Sequence, residues 1–299
     1  THGLFVATNT VLAAGASIVF LPSFDLPQVL AGLPKSTVMM GVPTFYTRLL
    51  NCAEFTRESA AHMRLFISGS APLLADTHAE FAARTGHAIL ERYGMTETNM
   101  NTSNPVDGAR RAGTVGLPLP GVELRITEGK EELAQGEVGM IEVRGPNVFA
   151  GYWQMPEKTA EDMRADGWFI TGDLGTRDDL GYVQIVGRSK DLIISGGFNV
   201  YPKEVELCLD ACEGVLESAV IGLPHPDFGE AVFAVLMARA DLDVGAVLAS
   251  IAGQLARFKQ PKAAVVLEAL PRNAMGKVQK AQLRADYAGW FSKSSPAAS

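Results

Sequence analysis

Through its first half the chain alternates short apolar runs with helix-like stretches, a rhythm that constrains the fold more than any single residue. Runs at 17–21, 38–40 and 64–68 read as strands, and 75–85 reads as a helix between them. Strand–helix alternation argues for α/β layering around a mostly parallel sheet. With 299 residues, 47% of them hydrophobic, there is enough apolar surface for a large core or for two domains.

Beyond that stretch the pattern changes. Segments 122–126, 140–143 and 182–186 read as strands separated by Gly-rich turns, giving a smaller β subdomain. A second change falls near Arg188. A helix is expected from Pro202, with Val205, Leu209 and Cys212 on one face, because Pro suits a first helical turn. Another places Val244, Val247, Leu248, Ile251 and Leu255 together, between strands at 231–237 and 264–267. The expected division is therefore 1–187, a layered α/β unit with its β subdomain, and 188–299, a small α+β module with a frayed tail after Lys293. No internal repeat is visible.

Lys plus Arg total 26 against 33 Asp plus Glu, a net charge of -7, and no basic stripe tracks phosphates, which excludes nucleic acid as a partner. Cys52, Cys208 and Cys212 have no metal-ligand spacing and read as reduced thiols of a cytoplasmic protein. No apolar run is long enough to span a bilayer, so no membrane role is expected. The sequence opens without an initiator Met, so a cropped chain is as tenable as a complete one.

Four short motifs carry chemistry. Tyr93-Gly94-Met95-Thr96-Glu97 follows an expected strand at 88–90, and loops at the carboxyl ends of such strands bind ligands. Tyr93 can stack on a base, Thr96 can donate to a phosphate, and Glu97 offers hard oxygen to Mg²⁺. Asp173, in Thr171-Gly172-Asp173, can accept both hydroxyls of a ribose or simply cap a turn. Gly187-Arg188-Ser189-Lys190-Asp191, at the expected boundary, suits a hinge. Lys277, in Pro271-Arg272-Asn273-Ala274-Met275-Gly276-Lys277, is a surface charge unless its company says otherwise.

In order and spacing, Ser68-Gly69-Ser70-Ala71-Pro72, the Tyr93 motif, Thr171-Gly172-Asp173, the Arg188 motif and the Lys277 motif resemble the core motifs of the adenylate-forming superfamily of acyl-CoA synthetases, luciferases and peptide-synthetase adenylation domains. The resemblance implies the carboxyl-terminal portion of a large adenylation domain, then a mobile lid. It implies ATP, Mg²⁺ and coenzyme A as cofactors. Arg92, Tyr93, Gly94, Met95, Thr96, Ser70, Ala71, Pro72, Asp173, Arg188 and Lys277 would bind nucleotide, Glu97 the metal, and Gly196 and Gly197 the pantetheine. Thr96, Glu97 and Lys277 would be catalytic, and the lid would turn about Lys190. Lys277 would also be the target of a lysine acetyltransferase and deacetylase, acetylation removing its charge. The family's Ser/Thr/Gly-rich phosphate loop matches nothing in 1–299, so the natural enzyme is expected to be longer.

The helix expected after Pro43 carries Arg48, a planar fork able to take a carboxylate bidentately or to sit in an ordinary surface pair. The Thr1-His2-Gly3-Leu4-Phe5 opening, the Arg48 helix and Met95 to Met100 are similar to malonyl-CoA synthetases. That resemblance implies malonate as the acid, with His2, Arg48, Ser68, Gly69 and Met100 around it, in fatty acid metabolism. The alternatives are another short acid such as methylmalonate or an acetate-like one, a carrier-protein adenylation domain, a luciferase-like oxidase, and a non-catalytic fragment lacking the phosphate loop.

Overall fold

A computed structural model describes residues 2–238, 242–273 and 277–291. The chain divides into two compact units, Thr1–Ile185 and Val186–Ser299.

The first unit opens on a wide helical turn, His2–Asn9, continued by α1 (Thr10–Ala13). α2 (Leu26–Gly32) is capped by Asp25, whose Oδ1 accepts from the Gln28 N–H at 2.9 Å. Then come β1 (Val38–Gly41), α3 (Pro43–Leu50), α4 (Arg57–Ala60), β2 (Leu65–Ser68), α5 (Ala75–Thr85), β3 (Leu90–Met95), β4 (Asn99–Ser103) and β5 (Leu117–Pro118). β1, β2 and β3 are parallel, whereas β4 and β5 add on antiparallel, in the order β1-β2-β3-β4-β5. On the helix side Tyr46, Leu49, Phe55, Phe66 and Phe81 form a buried aromatic-rich core. α5 stops where Gly86 takes a left-handed φ of 80°, open to glycine at little cost.

The expected strand at 17–21 does not form. Ile18, Val19 and Phe20 have strand-favouring side chains, yet they pair with no strand among the described residues, and Phe20 is 78% exposed. Strand propensity alone does not hold a strand without a neighbour.

The second sheet, ordered β10-β9-β8-β6-β7, comprises β6 (Glu123–Glu128), β7 (Glu131–Glu132), β8 (Gly139–Arg144), β9 (Phe169–Arg177) and β10 (Val183–Arg188), with α6 (Pro156–Asp162) between β8 and β9. Glu142 on β8 is fully buried. Burial raises its pKa, but hydrogen bonds from Arg164, Arg125 and Thr127 outweigh that and hold it below the usual carboxylate value.

The second unit contains β11 (Ile193–Ser195), β12 (Phe198–Val200), α7 (Pro202–Asp210), β13 (Val215–His225), β14 (Gly229–Ala238), α8 (Val244–Ile251), β15 (Ala263–Leu267) and α9 (Lys280–Asp286). β14 is central, flanked by β13, β11 and β15. Val205 and Leu209 are buried against Val220, Val232, Val247 and Ile251. Cys212 lies just past α7 and packs on the same cluster. The residues after 291, including the expected frayed tail, lie outside the described residues.

Candidate active site

The carboxyl ends of β1 and β2 fall level with each other and with Glu91 near the start of β3, since Gly41 pairs with Ser68 and Ser68 with Glu91, and β3 runs on past them to Met95. In open α/β sheets this edge is where ligands bind. From it leave the turn into α3, the Ser68–Pro72 turn and the distal half of β3. In that turn Ser70 holds φ at 71°, a left-handed conformation that is strained for a residue with a Cβ. Ser68 and Gly69 are buried, while Ala71 and Pro72 are exposed.

Sequence reasoning put the Tyr93 motif in a loop after a strand at 88–90. Instead β3 spans Leu90–Met95, so Tyr93, Gly94 and Met95 belong to the strand and only Thr96, Glu97 and Thr98 form the turn into β4. Gly94 permits this, because a Cβ there would lie 1.9 Å from the Asn99 carbonyl oxygen and 2.4 Å from the Met100 methyl. Asp173 is likewise inside a strand, β9, beside Gly172 at φ 73°.

Tyr93 and Asp173 are both buried, and the phenol donates to Asp173 Oδ2 at 2.6 Å, linking the two sheets. The Asp173 N–H donates to Thr171 Oγ1 at 3.1 Å. Glu97 is half-buried. Its carbonyl accepts from the Phe149 N–H at 2.8 Å, and its Oε1 lies 3.2 Å from the Tyr152 hydroxyl, which also lies 3.2 Å from Asp162 Oδ2. Burial, and then the two carboxylates, push the Tyr152 phenol up to about 12. Asn147 Nδ2 donates to the Thr98 carbonyl at 2.7 Å. Tyr152 and Asn147, which brace the 96–98 turn, escaped sequence reasoning; the only signal was a polar Asn and Tyr amid the Gly and Pro of 145–156.

A hard carboxylate oxygen beside a Thr hydroxyl suits Mg²⁺, which is held by one or two carboxylates with the rest of its shell from phosphates and water. Among the described residues there is no cluster of three or more His, Cys, Asp or Glu side chains, and that form of binding needs none.

Arg48 sits on α3, exposed, with its guanidinium 5.3 Å from the Phe24 ring centroid. Arg92 is half-buried. Its Nη2 reaches Met40 Sδ at 3.8 Å, and its Nε is buried without a hydrogen-bond partner. Burial pulls its pKa down to about 10, against the neighbouring Tyr46 phenol. Met100 is half-buried on β4. The side chain of His2 lies outside the described residues.

In the second unit Gly196 and Gly197 form the β11–β12 turn at φ 58° and 83°, the double left-handed geometry of a tight hairpin. The Gly196 N–H donates to the Phe228 carbonyl at 2.8 Å, and a Cβ at Gly197 would meet nothing within 4 Å. Arg188 ends β10, and Lys190 is exposed in the short helical turn Ser189–Asp191. Arg284 clamps Asp191 at 2.9 Å. Lys277 is exposed. Its N–H donates to Asn273 Oδ1, and its carbonyl accepts from the Asn273 N–H, each at 3.0 Å, while Ala274, Met275 and Gly276 lie outside the described residues.

The family model for AMP-binding enzymes matches residues 1–153, and that for their C-terminal domain matches 204–277. The chain belongs to the AMP-binding enzyme family. It is 40% identical to a malonate–CoA ligase of Arabidopsis thaliana across 95% of the chain and 52% of that enzyme. A long-chain-fatty-acid–CoA ligase of Yersinia pestis is 36% identical across 90% of the chain and 49% of its own length. The ATP-bound crystal structure of MatB from Rhodopseudomonas palustris superposes with a TM-score of 0.95 at 60% identity, over 97% of the chain and 59% of MatB. The chain thus spans about half the length of the two curated relatives and 59% of MatB. Among the described residues no helix is long and apolar enough to cross a membrane.

Proposed function

We propose that the enzyme carrying this chain is an AMP-forming acid–thiol ligase that makes malonyl-CoA from malonate, ATP and coenzyme A. The observation that carries the reading is 60% identity to ATP-bound MatB across nearly the whole chain. The malonate–CoA ligase relative supports the choice of acid.

In the first half-reaction a malonate carboxylate oxygen attacks the α-phosphorus, and the bond to pyrophosphate breaks. In the second, the thiol sulfur attacks the acyl carbon, its proton is lost, and AMP leaves. Lys277 places an ammonium beside the attacking oxygen and the phosphoryl group, offsetting their repulsion and the charge developing in transfer. Thr96 donates to a phosphate. Asp173, already held by Tyr93, accepts from the ribose. Tyr93 and the Ser70–Pro72 turn border the adenine, and Arg188 takes a hydroxyl or a phosphate. Glu97, with Thr96, would hold Mg²⁺, which neutralises phosphate charge when bound. Tyr152 keeps the Glu97 carboxylate in place.

The lid begins at 188, turns about Lys190 between half-reactions, and brings the Gly196–Gly197 hairpin to the pantetheine. The three free thiols suit a cytoplasmic enzyme. Exposed Lys277 suits control by an acetyltransferase and a deacetylase.

The test is pyrophosphate release by the gene product at its natural length, with Mg-ATP and malonate, methylmalonate, acetate or a long fatty acid. Release that depends on malonate, with malonyl-CoA formed once coenzyme A is added, is expected. Release only with a fatty or aromatic acid refutes the choice of acid while leaving the ligase chemistry.

A further inference from the structure

We propose that α6 sets the aim of the magnesium ligand: Asp162 and Lys158, acting through the Tyr152 phenol, are positioning residues for Glu97. The inference rests on the assignment of Glu97 to the metal.

Tyr152 is fastened to α6 at two points. Its N–H donates to Thr159 Oγ1 at 2.9 Å, and its hydroxyl lies 3.2 Å from Asp162 Oδ2. A Cβ at Gly151 would come within 2.8 Å of the Thr159 methyl, so glycine lets the chain lie this close to the helix. On the other side, the Phe149 N–H donates to the Glu97 carbonyl at 2.8 Å, and the Phe149 ring packs edge-on to Tyr152 with centroids 4.8 Å apart. Phe149 thus fixes the backbone of Glu97. The carboxylate is held by the phenol, 3.2 Å from Oε1, and the far end of that contact stands on α6.

The phenol sits between two carboxylates with a single proton. Ionised carboxylates only accept and a phenol donates once, so one of the two contacts lacks a hydrogen at any moment. Lys158, one turn before Asp162, decides which. Its ammonium donates to Asp162 Oδ1 at 2.9 Å and to Glu161 Oε2 at 3.2 Å. A carboxylate already paired with a cation is the weaker acceptor, so the phenol proton goes to Glu97 and fixes the plane of its carboxylate. Losing a partner that orients a ligating group typically costs about tenfold to a hundredfold in metal affinity. A Tyr152 that only filled space would change stability and leave the metal dependence alone.

The experiment compares Tyr152→Phe, Lys158→Met, Asp162→Asn, the double variant Lys158→Met with Asp162→Asn, and Glu97→Gln, in the gene product at its natural length. Equilibrium dialysis without acid substrate reads the binding of Mn²⁺·ATP and, with chelator, of ATP alone. Pyrophosphate release with malonate reads the Mg²⁺ concentration at half-saturation. Tyr152→Phe should weaken Mn²⁺·ATP about tenfold and raise the Mg²⁺ requirement alike, with ATP alone unchanged and kcat at saturating Mg²⁺ within about threefold. Lys158→Met frees Asp162 to take the phenol proton and should weaken Mn²⁺·ATP about threefold, the scale of an exposed ion pair. Asp162→Asn should stay within about twofold of the parent, because its amide can donate to the phenol oxygen and leave the proton to Glu97. The double variant should match Asp162→Asn, since the lysine acts only through that carboxylate. Parent-like Mn²⁺·ATP binding in Tyr152→Phe, an equal loss for ATP alone, or a double variant as weak as Lys158→Met would each overturn the inference while leaving Glu97 on the metal. Parent-like Mn²⁺·ATP binding in Glu97→Gln overturns the metal assignment as well.

Discussion

Replacing Glu91 with Gln should stabilise the protein at alkaline pH and leave it nearly unchanged in acid. Glu91 is buried on β3 with Oε1 unpartnered, and Ser68, its register partner on β2, has a buried Oγ that is also unpartnered. Burial outweighs the backbone N–H groups of Gly113 and Leu73 and raises its pKa from 4.5 to about 7. The folded state therefore binds this proton more tightly than the unfolded chain. Stability from Glu91 is fully present below about pH 4.5 and is lost as pH rises through about 7. At about 1.4 kcal/mol per tenfold change in proton affinity, the loss is about 3 kcal/mol. Gln cannot ionise, and its carbonyl oxygen can still accept from one backbone N–H. Urea unfolding at about pH 5 and about pH 8, with hydrogen exchange of the β2 and β3 amides to assign the change to this sheet, reads the difference. Glu91→Gln should match the parent at the lower pH and exceed it by up to about 3 kcal/mol at the higher. A pH-independent difference, or a variant falling further behind at the higher pH, would refute the reasoning.

Lys277→Ala should abolish pyrophosphate release yet still convert a supplied malonyl-adenylate to malonyl-CoA; loss of both steps would show that the lysine does more than assist the first. Gly94→Ala should cost about 3 kcal/mol in urea unfolding, because its Cβ would meet the Asn99 backbone oxygen at 1.9 Å and part β3 from β4. Parent-like stability there would mean that the pairing of β3 with β4, whose register shifts between Tyr93 and Gly94, can absorb a methyl group.

The α/β layering, the β subdomain and the helices after Pro43 and Pro202 were legible because periodicity and proline placement are local signals. Two kinds of feature were not. Whether 17–21 becomes a strand depends on a partner, which no local pattern encodes. The Tyr93 motif looked like a loop because Gly94 normally punctuates a strand, whereas here it admits the neighbouring chain at close range. Family motifs pointed to Tyr93, Thr96, Glu97, Asp173 and Lys277, and could not reveal that Tyr93 and Asp173 bond to each other or that Tyr152 reaches Glu97. Glu91 carried a weak signal, a carboxylate beside apolar Ile89 and Leu90, which only burial made meaningful.

The alternation of β3 has a bearing on how such enzymes diversify. Residues 91 and 93 look to one side of the sheet and residue 92 to the other. One backbone ladder thus keeps two environments apart: a substitution at 92 can change the face toward Met40 while Tyr93 stays bonded to Asp173. Relatives can then vary one face of this strand without disturbing the bond that ties its other face to the second sheet, and libraries confined to position 92 and its neighbour Met40 should stay folded far more often than libraries that also vary 91 and 93.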